Sequence, residues 1–382
     1  MRLKVRFPQV EPNTYEMPAT CPYGCGGQAY RRHGIKGERK PLRDVKYAEV
    51  LSYRYTCVRC GRSFRVYPRG VSKGAQQSQR LRAMTVLLYV LGLSYGAVED
   101  FVNALGGGIG KTTVYNNVQA AGEMARRQQQ AHVKRGGKRA VIGADGTFVK
   151  VKGESVEIEV VVDDSSGELL GLDILTSENH EDVYRVIQEV VEAVEPDVLV
   201  TDDHGAYTEV VDAMGLDHQI CRSHVQRNVD AIAESLNKHL AHPEPLPTGV
   251  QLTPEQVRTD LAQMQHLVRE RPADGEVQLE ALYDRYKDVP LPENGKRHTV
   301  WYRMRMAVTR LWLRWRDLTL DQRRDDLDGT NNACERLIGW WIKERYRAMR
   351  GYKRTESIRN VVTLTALIGA HPGYYDLAAL VG

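Results

Sequence analysis

The chain has 382 residues, which is enough for two or three domains with hydrophobic cores of their own. Its formal net charge is only +4, yet residues 1–82 contain 18 Lys and Arg against five Asp and Glu. A basic first segment on a nearly neutral body favours a nucleic acid as partner, with a well-solvated surface as the alternative. The sequence has no apolar run of the roughly 20 residues that a membrane span needs and no apolar signal-peptide core, so we expect a cytoplasmic protein without a membrane partner.

Two close pairs of cysteines stand out among the six cysteines of the chain. The pairs are Cys21 with Cys25 and Cys57 with Cys60. In the cytoplasm such pairs indicate a metal site or free thiols rather than disulfides. Two short-spaced pairs about thirty residues apart can supply four thiolates to one tetrahedral Zn²⁺, and short strands predicted at 51–56 and 63–67 complete the pattern of a zinc ribbon. We therefore predict a DNA-binding zinc ribbon over residues 1–72, with His33 as a spare ligand.

Residues 73–134 are predicted to form a second domain, in which a linker at 72–77 precedes helices from about residue 78 to residue 130. Apolar side chains recur at helical spacing near 81–91, Ser94 begins a second helix, and the glycine-rich turn 106–110 leads into a third. Two short helices, a glycine turn and a polar third helix are typical of a helix-turn-helix domain, with an ordinary helical linker domain as the alternative. The residues that open the third helix and could reach base edges are Lys111, Thr112, Thr113, Tyr115 and Asn116.

From residue 138 onward the pattern changes to strands. The predicted order is three strands in an antiparallel meander, a helix, a fourth strand, a helix and a fifth strand, at 140–151, 156–162, 169–175, 181–195, 197–201, 207–214 and 218–221. This order is the RNase H-like plan, whose sheet brings the first and fourth strands side by side. The first strand contains Asp145, and the fourth is an apolar run that ends in Asp202, at the carboxyl end where α/β folds place their chemistry. Asp145 and Asp202 should therefore share one site, with Asp203 as the alternative to Asp202.

After Cys221 the chain is predicted to be helical for roughly a hundred residues, which gives an all-α insertion over 225–328. Three prolines mark a linker inside it, namely Pro243, Pro245 and Pro247. A long helical region is predicted for 298–327. It contains three tryptophans, Trp301, Trp312 and Trp315. We interpret them as helix-packing residues, with stacking on a nucleic-acid base as the alternative.

The final segment, residues 329–382, opens with a helix that carries Glu335. Glu335 lies beside the apolar stripe of this helix and fits a third carboxylate ligand for a metal ion. At 3.6 residues per turn, four basic residues of the helix lie within about 40° of one another and form a ridge that suits DNA phosphates. They are Arg336, Lys343, Arg347 and Arg350.

With three acids in these positions, the chain resembles bacterial insertion-sequence transposases that carry an Asp-Asp-Glu triad. It is more closely similar to the Mutator-like branch, which has a Cys-x-x-His motif after the second Asp and an α-helical insertion before the Glu. In this chain the motif is Cys221-Arg-Ser-His224, and the last block is Thr330-Asn-Asn-Ala-Cys-Glu335. The resemblance spans residues 138–228 and 329–360.

The resemblance implies an RNase H-like catalytic core over 135–224 and 329–382 that the all-α insertion interrupts. Together with the zinc ribbon and the helix-turn-helix domain predicted from the residues, this gives a multidomain α+β protein, although a zinc ribbon is less typical of the Mutator-like branch. It implies a DNA transposase that binds the ends of its mobile element and cleaves and joins strands. Asp145, Asp202 and Glu335 would hold two Mg²⁺ (or Mn²⁺) ions, with Asp145 as the bridging ligand, and one structural Zn²⁺ would lie in the ribbon. The expected partner is double-stranded DNA, both element ends and target, bound by a homodimer or higher oligomer at the nucleoid of a bacterial cell.

Two further points have alternatives. Cys221 and His224 form either a packed thiol with an orienting imidazole or a direct part of the chemistry, in which His224 contacts the scissile phosphate or protonates a leaving group. A zinc ion at these two residues would lack two ligands. For the whole chain, one alternative is an RNase H-like nuclease or junction resolvase, which would use the same acids. The other is a domesticated DNA-binding regulator derived from a transposase, which would tend to have lost an acid.

Overall fold

The structure, a computed structural model, describes residues 3–175, 180–246, 249–292, 299–349, 351–371 and 373–382. The chain divides into two compact units. The first unit comprises Met1–Arg135, Phe148–Ile158 and Arg336–Gly382, and the second unit comprises Gly136–Thr147 and Glu159–Glu335. The division of the chain into five domains stays a prediction.

Short strands precede longer helices in the part of the chain up to residue 135. These elements are β1 (Val5–Arg6), β2 (Glu11–Tyr15), β3 (Tyr30–Arg32), β4 (Glu38–Pro41), β5 (Glu49–Cys57), β6 (Ser63–Val66), β7 (Pro68–Arg69), α1 (Gln79–Val90), α2 (Tyr95–Ala104) and α3 (Lys111–Arg135). The next are β8 (Val141–Val151), β9 (Glu154–Asp163), β10 (Leu169–Ile174), α4 (His180–Val194), β11 (Val198–Thr201), α5 (Gly205–Met214), β12 (Asp217–Ile220) and α6 (Arg222–His239). The last are α7 (Pro254–Glu270), α8 (Gly275–Tyr286), α9 (Val300–Leu313), α10 (Trp315–Leu318), α11 (Asn332–Leu337), α12 (Glu344–Arg347), α13 (Thr355–Gly369), β13 (Tyr375–Asp376) and α14 (Ala378–Val381).

In the first unit β5 is the central strand of a small antiparallel sheet, because β3, β4 and β6 all pair with it. The strands predicted at 51–56 and 63–67 lie within β5 and at β6. Buried and exposed residues alternate at the start of β5, with Val50 and Ser52 inside and Leu51 outside, as expected for a strand with one covered face.

Asp44 connects the strand region of the first unit to its helices. Its carboxylate accepts hydrogen bonds from the Ser78 hydroxyl and the Arg80 guanidinium, and Ser78 in turn caps the start of α1. The predicted linker at 72–77 is therefore held at its end, because Ser78, the residue that follows it, is bonded to this buried acid. Burial acts to raise the pKa of Asp44, but the hydrogen bonds from Arg80 and Ser78 lower it by more, so the carboxylate is held in its charged form.

The helices of the first unit form one packed group. α1, α2 and α3 pack on one another, and α13 packs along α3. The predicted glycine turn before α3 is present, and Asn103 closes it by exchanging two hydrogen bonds of 2.9 Å with the backbone of Ile109. α13 comes so close to α3 that a Cβ added to Gly122 would lie 2.6 Å from Asn360.

The helix predicted around Glu335 is present but is not uniform. α11 ends at Leu337, a π-helical segment occupies Ile338–Lys343, and α12 follows. A π-helix has more residues per turn than an α-helix because its hydrogen bonds run from i to i+5. The predicted angle of about 40° among the basic residues assumed 3.6 residues per turn and is wrong across this segment. The bulky Trp341 is in the segment, and its ring would lie 2.2 Å from a Cβ added to Gly369 of α13.

A five-stranded sheet with the order β10-β9-β8-β11-β12 organises the second unit. The first and fourth strands of the predicted plan, β8 and β11, are neighbours as expected, and β11 is parallel to both β8 and β12. All four residues of β11 are buried, because apolar and β-branched side chains cover both faces of a central parallel strand. Val141, Val198 and Val200 share one hydrophobic cluster with Leu320.

The predicted all-α insertion is also part of the second unit. Helices α6 to α10 share one hydrophobic core, in which Trp301 and Trp315 are buried, and Trp312 stacks on Tyr283 with ring centroids 4.6 Å apart. The helical region predicted for 298–327 is interrupted: α9 and α10 are separate, a 3₁₀ turn covers Leu320–Gln322, and no helix continues to residue 327. His298 and Pro247 lie outside the described residues. Within the described ranges, no helix has the combined length and apolar character of a membrane span.

Candidate active site and metal-binding clusters

Asp145 and Asp202 both follow the last paired residues of two neighbouring parallel strands. The register pairs Gly143 of β8 with Val200 of β11. Asp145 comes two residues later within β8, and Asp202 is the first residue after β11, which ends at Thr201. Both acids therefore lie toward the edge of the sheet at which β11 ends. Both are partly exposed, and Asp202 Oδ1 accepts a hydrogen bond of 2.9 Å from the backbone N–H of His204.

Glu159 of β9 is a buried acid that the sequence pattern did not single out. It is only 1% exposed, and its carboxylate oxygens accept hydrogen bonds of 3.0 and 3.2 Å from the hydroxyl of Tyr207 on α5. Burial raises the pKa of Tyr207 well above its usual value, and the negative charges of Glu159, Asp145 and Asp202 raise it further. Tyr207 is therefore a neutral donor that lies in the field of all three carboxylates.

Asn331 fixes the helix that carries Glu335. This fully buried side chain donates a hydrogen bond of 2.8 Å to the backbone oxygen of Ala144, the residue before Asp145, and its own backbone oxygen accepts from the Glu335 N–H at 3.0 Å. The approach is close, since a Cβ added to Gly143 would lie 2.7 Å from Asn331 Oδ1.

Cys334 shows that Glu335 and Asp145 share one electrostatic environment. This cysteine precedes Glu335 and is fully buried. Burial raises the pKa of its thiol well above the usual value, and the negative charges of Asp145, Glu159, Asp164 and Glu335 add to the increase. Four acids at this end of the sheet therefore act on one buried thiol, and such a concentration of carboxylates favours a bound cation.

Glu335 also lies beside the Cys-x-x-His motif. The ligand atoms of Cys221, His224 and Glu335 all lie within 4.8 Å of one another, and neither Asp145 nor Asp202 belongs to this group. His224 Nδ1 is 3.5 Å from Glu335 Oε1, and Arg227 Nη2 is 3.7 Å from the same oxygen.

Cys221 and His224 shift each other's protonation. Burial acts to raise the pKa of the Cys221 thiol, but hydrogen bonds from the His224 side chain and from the backbone of Asn331 and His224 lower it by more. The hydrogen bond with Cys221 raises the pKa of His224, against the opposing effect of burial. Each residue of the pair therefore stabilises the charged form of the other.

Asp203, the alternative to Asp202, is already paired with two arginines. Its carboxylate forms ion pairs with Arg310 and Arg314, and Asn228 donates to it at 3.3 Å. Two guanidinium groups already neutralise this acid, so it is a poor ligand for a metal ion. The geometry favours Asp202 as the acid that faces the site.

The four paired cysteines form one cluster in the first unit. Cys21 Sγ lies 3.8 Å from Cys60 Sγ, Cys25 Sγ lies 3.6 Å from Cys57 Sγ, and all four sulfurs are within 4.8 Å of one another. The glycines after the second cysteine of each pair adopt positive φ, +72° at Gly26 and +69° at Gly61, as tight turns require. A hydrogen bond from the Cys60 backbone lowers the pKa of Cys57 to about 7, against the effect of burial. His33 is exposed and outside the cluster.

The residues predicted to contact DNA differ in exposure. At the start of α3, Lys111, Thr112 and Asn116 are exposed, whereas Thr113 and Tyr115 are half-buried. The ring of Tyr115 packs edge-on against Tyr95, with centroids 5.5 Å apart, and its hydroxyl lies 3.5 Å from Ser357 Oγ. Tyr115 therefore contributes to the packing of the first unit.

The basic residues after Glu335 belong to the first unit, and the described ones are open to solvent. Arg336, Lys343 and Arg347 are not buried, and Arg347 pairs with Glu344 at 3.1 Å. A phosphate could displace this exposed contact at little cost. Arg350 lies outside the described residues.

Several solved structures resemble part of the chain at low similarity. The catalytic core domain of HTLV-2 integrase has 18% identity and a TM-score of 0.20, covering 34% of this chain and 84% of that chain. The catalytic core domain of BIV integrase has 14% identity and a TM-score of 0.18, covering 54% and 99%. The catalytic domain of Mos1 mariner transposase has 10% identity and a TM-score of 0.18, covering 52% and 89%. TM-scores this low carry no argument about function, and a comparison with curated proteins finds no match.

A family model that matches the sequence assigns the chain to a family. The family model described as Transposase IS66 family matches residues 74–347, which is well over half of the chain and includes the helices before the sheet, the sheet and the insertion. The chain therefore belongs to the IS66 transposase family.

Proposed function

We propose that this member of the IS66 family is a DNA transposase that binds the ends of its mobile element and cleaves and joins DNA strands, with Asp145, Asp202 and Glu335 as its acidic triad. The observation that carries the proposal is the parallel register of β8 and β11, because it brings two carboxylates to one edge of a buried sheet. The hydrogen bond from Asn331 to Ala144 supports Glu335 as the third acid, since it ties the start of the glutamate-bearing helix to the strand of Asp145.

The residues at this edge fit divalent metal ions. Carboxylate oxygens on rigid elements are the ligands that Mg²⁺ and Mn²⁺ prefer, and the negative field at Tyr207 and Cys334 is one that a cation would neutralise. Asp145, Asp202 and Glu335 would hold the two ions, and the role of Asp145 as a ligand shared by both ions stays a prediction. The ions would supply a Lewis acid at the scissile phosphate and lower the pKa of bound water.

The surrounding side chains have supporting roles in the proposal. Tyr207 donates a buried hydrogen bond to Glu159, and this pair would support the positions of Asp145 and Asp202. His224, whose pKa is raised by its hydrogen bond with Cys221, would donate a proton to a leaving oxygen. Asp203 stays outside the chemistry.

DNA binding is proposed for the remaining basic and polar surface. Lys111, Thr112 and Asn116 would contact the element's ends as part of a helix-turn-helix domain, with Thr113 and Tyr115 shaping the same helix. The proposed partners of Arg336, Lys343 and Arg347 are phosphates, and Arg350 stays a prediction in this role.

The four cysteines would hold one structural Zn²⁺ in a zinc ribbon. Assembly as a homodimer or higher oligomer on DNA, and the Mutator-like branch, stay predictions.

The experiment that tests the proposal is a strand cleavage and joining assay on DNA that carries the element's terminal repeats, with Mg²⁺ or Mn²⁺. Asp145→Asn, Asp202→Asn and Glu335→Gln keep the shape of each side chain and remove the charge that a metal needs. Each should abolish cleavage and joining while DNA binding persists, and pairs of substitutions should cost no more than single ones, because the three ligands act as one unit.

Asp212→Asn is the matched control, since it removes an exposed carboxylate from α5 of the same unit and should leave cleavage intact. Asp203→Asn should retain cleavage but reduce stability, because it leaves two guanidinium groups without their partner. Cleavage without joining would favour the nuclease alternative, and binding without cleavage by the wild-type chain would favour the regulator. Wild-type cleavage by Glu335→Gln would reject the triad.

A further inference from the structure

We propose that Cys221, His224 and Glu335 form a binding site for one Zn²⁺ ion in the second unit, distinct from the four-cysteine cluster of the first unit. The sequence offered two ligands at this place, and the fold adds the third. The ligand atoms of the three residues lie within 4.8 Å of one another. His224 Nδ1 and Glu335 Oε1 are 3.5 Å apart, close to the ~3.3 Å edge of a tetrahedron whose metal–ligand bonds are about 2.0–2.1 Å.

An unsatisfied atom points to a missing partner at this place. His224 Nδ1 is buried and forms no hydrogen bond to a described residue, its 3.5 Å approach to Glu335 Oε1 being an ion-pair contact only, although the side chain as a whole is 24% exposed. A buried nitrogen without a hydrogen bond is costly, and in the neutral, deprotonated ring a metal ion satisfies its lone pair directly. Cys221 is 1% exposed, so its sulfur would approach the ion from the protein side, whereas the Glu335 side chain is 40% exposed and leaves an entry path.

The three ligands are held on a fixed framework. Cys221 directly precedes α6, and the N–H of Arg222 donates to the backbone oxygen of Gly329 at 3.0 Å, which joins the start of α6 to the loop before α11. On the other side of that loop, Asn331 holds the turn that carries Glu335. A preformed site loses little conformational entropy when the ion binds.

The chemistry of the ligands selects the class of metal. A thiolate, an imidazole and a carboxylate suit a borderline-soft ion such as Zn²⁺, whereas Mg²⁺ prefers oxygen ligands alone. Three protein ligands leave a fourth position for water, as in zinc sites that exchange with solution rather than in closed structural sites. Zn²⁺ at this site also uses the carboxylate of Glu335. On the proposed function, on which this step rests, Zn²⁺ and Mg²⁺ therefore compete for Glu335, and Zn²⁺ inhibits DNA cleavage.

Metal content of the full-length chain after dialysis against buffered Zn²⁺ tests the site without any activity measurement. The wild-type chain should bind two Zn²⁺, and Cys221→Ser and His224→Ala should each bind one. Cys334→Ala is the matched control, because it removes a neighbouring buried thiol that is not a ligand, and it should keep two. With the four-cysteine cluster already filled by Zn²⁺, added Co²⁺ should give a thiolate-to-cobalt charge-transfer band in the wild-type chain and none in Cys221→Ser.

A wild-type chain that binds the same amount of zinc as both Cys221→Ser and His224→Ala, without the cobalt band, would overturn the proposal. A cleavage assay then tests the competition separately: added Zn²⁺ should suppress Mg²⁺-dependent cleavage by the wild-type chain, and Cys221→Ser should lose this sensitivity relative to its own zinc-free rate. Zinc that binds without affecting cleavage would reject the sharing of Glu335 but keep the site. Because zinc content does not depend on cleavage, failure of the acidic triad is distinguishable from failure of this site.

Discussion

Asn331 determines where Glu335 is held, although it carries no charge. Its amide occupies the space next to Gly143, where a side chain would lie 2.7 Å from Oδ1. We expect Gly143→Ala to displace Asn331, break its hydrogen bond to Ala144 and misplace Glu335 by a fraction of an ångström. Strand cleavage should fall by up to about 100-fold, since a misplacement of about 1 Å of a catalytic group carries a penalty of that order. Single-turnover cleavage at saturating Mg²⁺ measures the effect.

The control for this variant is Gly205→Ala at the start of α5. A Cβ at Gly205 would meet nothing within 4 Å, so both activity and stability should stay close to the wild-type values. Equal cleavage by Gly143→Ala and Gly205→Ala would mean that Asn331 does not position Glu335.

The buried pair of Tyr207 and Glu159 gives a prediction about stability. Tyr207→Phe removes the hydroxyl that donates to the Glu159 carboxylate and should lower the free energy of unfolding by about 1.5–3 kcal/mol, the usual range for a hydrogen bond to a charged group. Urea denaturation measures the loss. A double-mutant cycle with Glu159→Gln should show coupling, and strictly additive losses would contradict a direct interaction.

The burial of Glu159 is a property of a single residue that could not be predicted from the sequence. β9 begins with alternating acids, which is typical of a strand with a solvent face, and ends in a largely apolar run. Only the run at Val160–Val162 signals that the strand enters a covered sheet, so that an acid beside it must be buried and paired. Asp203 was ambiguous for a similar reason, since its neutralising arginines are more than a hundred residues away in the sequence.

At the scale of elements, hydrophobic periodicity predicted most strands and helices of the second unit. Alternation and apolar runs have a fixed period in β8 to β12, so the order of the strands followed from the pattern. The pairing of β8 with β11 followed from the RNase H-like plan that this order indicates. The π-helical segment did not, because its wider turn depends on packing of a tryptophan against a glycine of another helix. The breaks between α9, α10 and the following turn likewise depend on tertiary contacts.

The start of α3 gives a prediction about DNA binding. Lys111→Ala and Asn116→Ala remove exposed side chains and should weaken binding to the element's ends without affecting folding. If Lys111 contacts a phosphate, its loss should lower the salt dependence by about one unit, whereas loss of a base contact at Asn116 should relax specificity at one position. Electrophoretic mobility shifts over a range of salt concentrations measure both.

Arg127→Ala is the control on the same helix, because this exposed base lies about four turns from the start of α3. Unchanged binding by Lys111→Ala and Asn116→Ala would move recognition of the ends to another surface of the first unit.

The four-cysteine cluster gives a prediction at the same scale. Cys57→Ser should remove the zinc of the first unit and destabilise β5 and β6, because zinc binding contributes directly to the folding of small sheets. Elemental analysis and hydrogen exchange of the β5–β6 pair measure the two effects. His33→Ala should keep the zinc, and a wild-type chain with a folded but metal-free cluster would contradict the zinc ribbon.

At the scale of the whole molecule, Asp44 predicts how acid affects stability. Its pKa is lower in the folded chain than the ordinary value of 3.8, so its contribution is fully present above that value and is lost as the pH falls through the folded pKa. Asp44→Asn should remove this part of the acid dependence and cost about 1–3 kcal/mol at neutral pH, because Arg80 and Ser78 lose a charged acceptor. Urea denaturation at several pH values measures both effects.

Asp326→Asn is the matched control. The pKa of Asp326 is also lowered, by the hydrogen bond with Arg324, but the pair is solvent-exposed, so its loss should cost less than about 1 kcal/mol. If both variants lose the same free energy of unfolding, burial of Asp44 does not strengthen its interactions with Arg80 and Ser78.

The hydrogen bond between Asn331 and Ala144 also affects the order in which parts of the protein fold during synthesis. It joins residues 187 positions apart, and every helix of the insertion lies between them in the sequence. Contacts of such long range form late, because loop closure costs entropy before the contact repays it. During synthesis the strands that carry Asp145 and Asp202 leave the ribosome first, and the glutamate arrives only after the insertion has emerged. On the proposed function, a nascent chain that stops within the insertion has two acids of the triad without the third, so we expect it to be unable to cleave DNA until the segment with Glu335 has been synthesised.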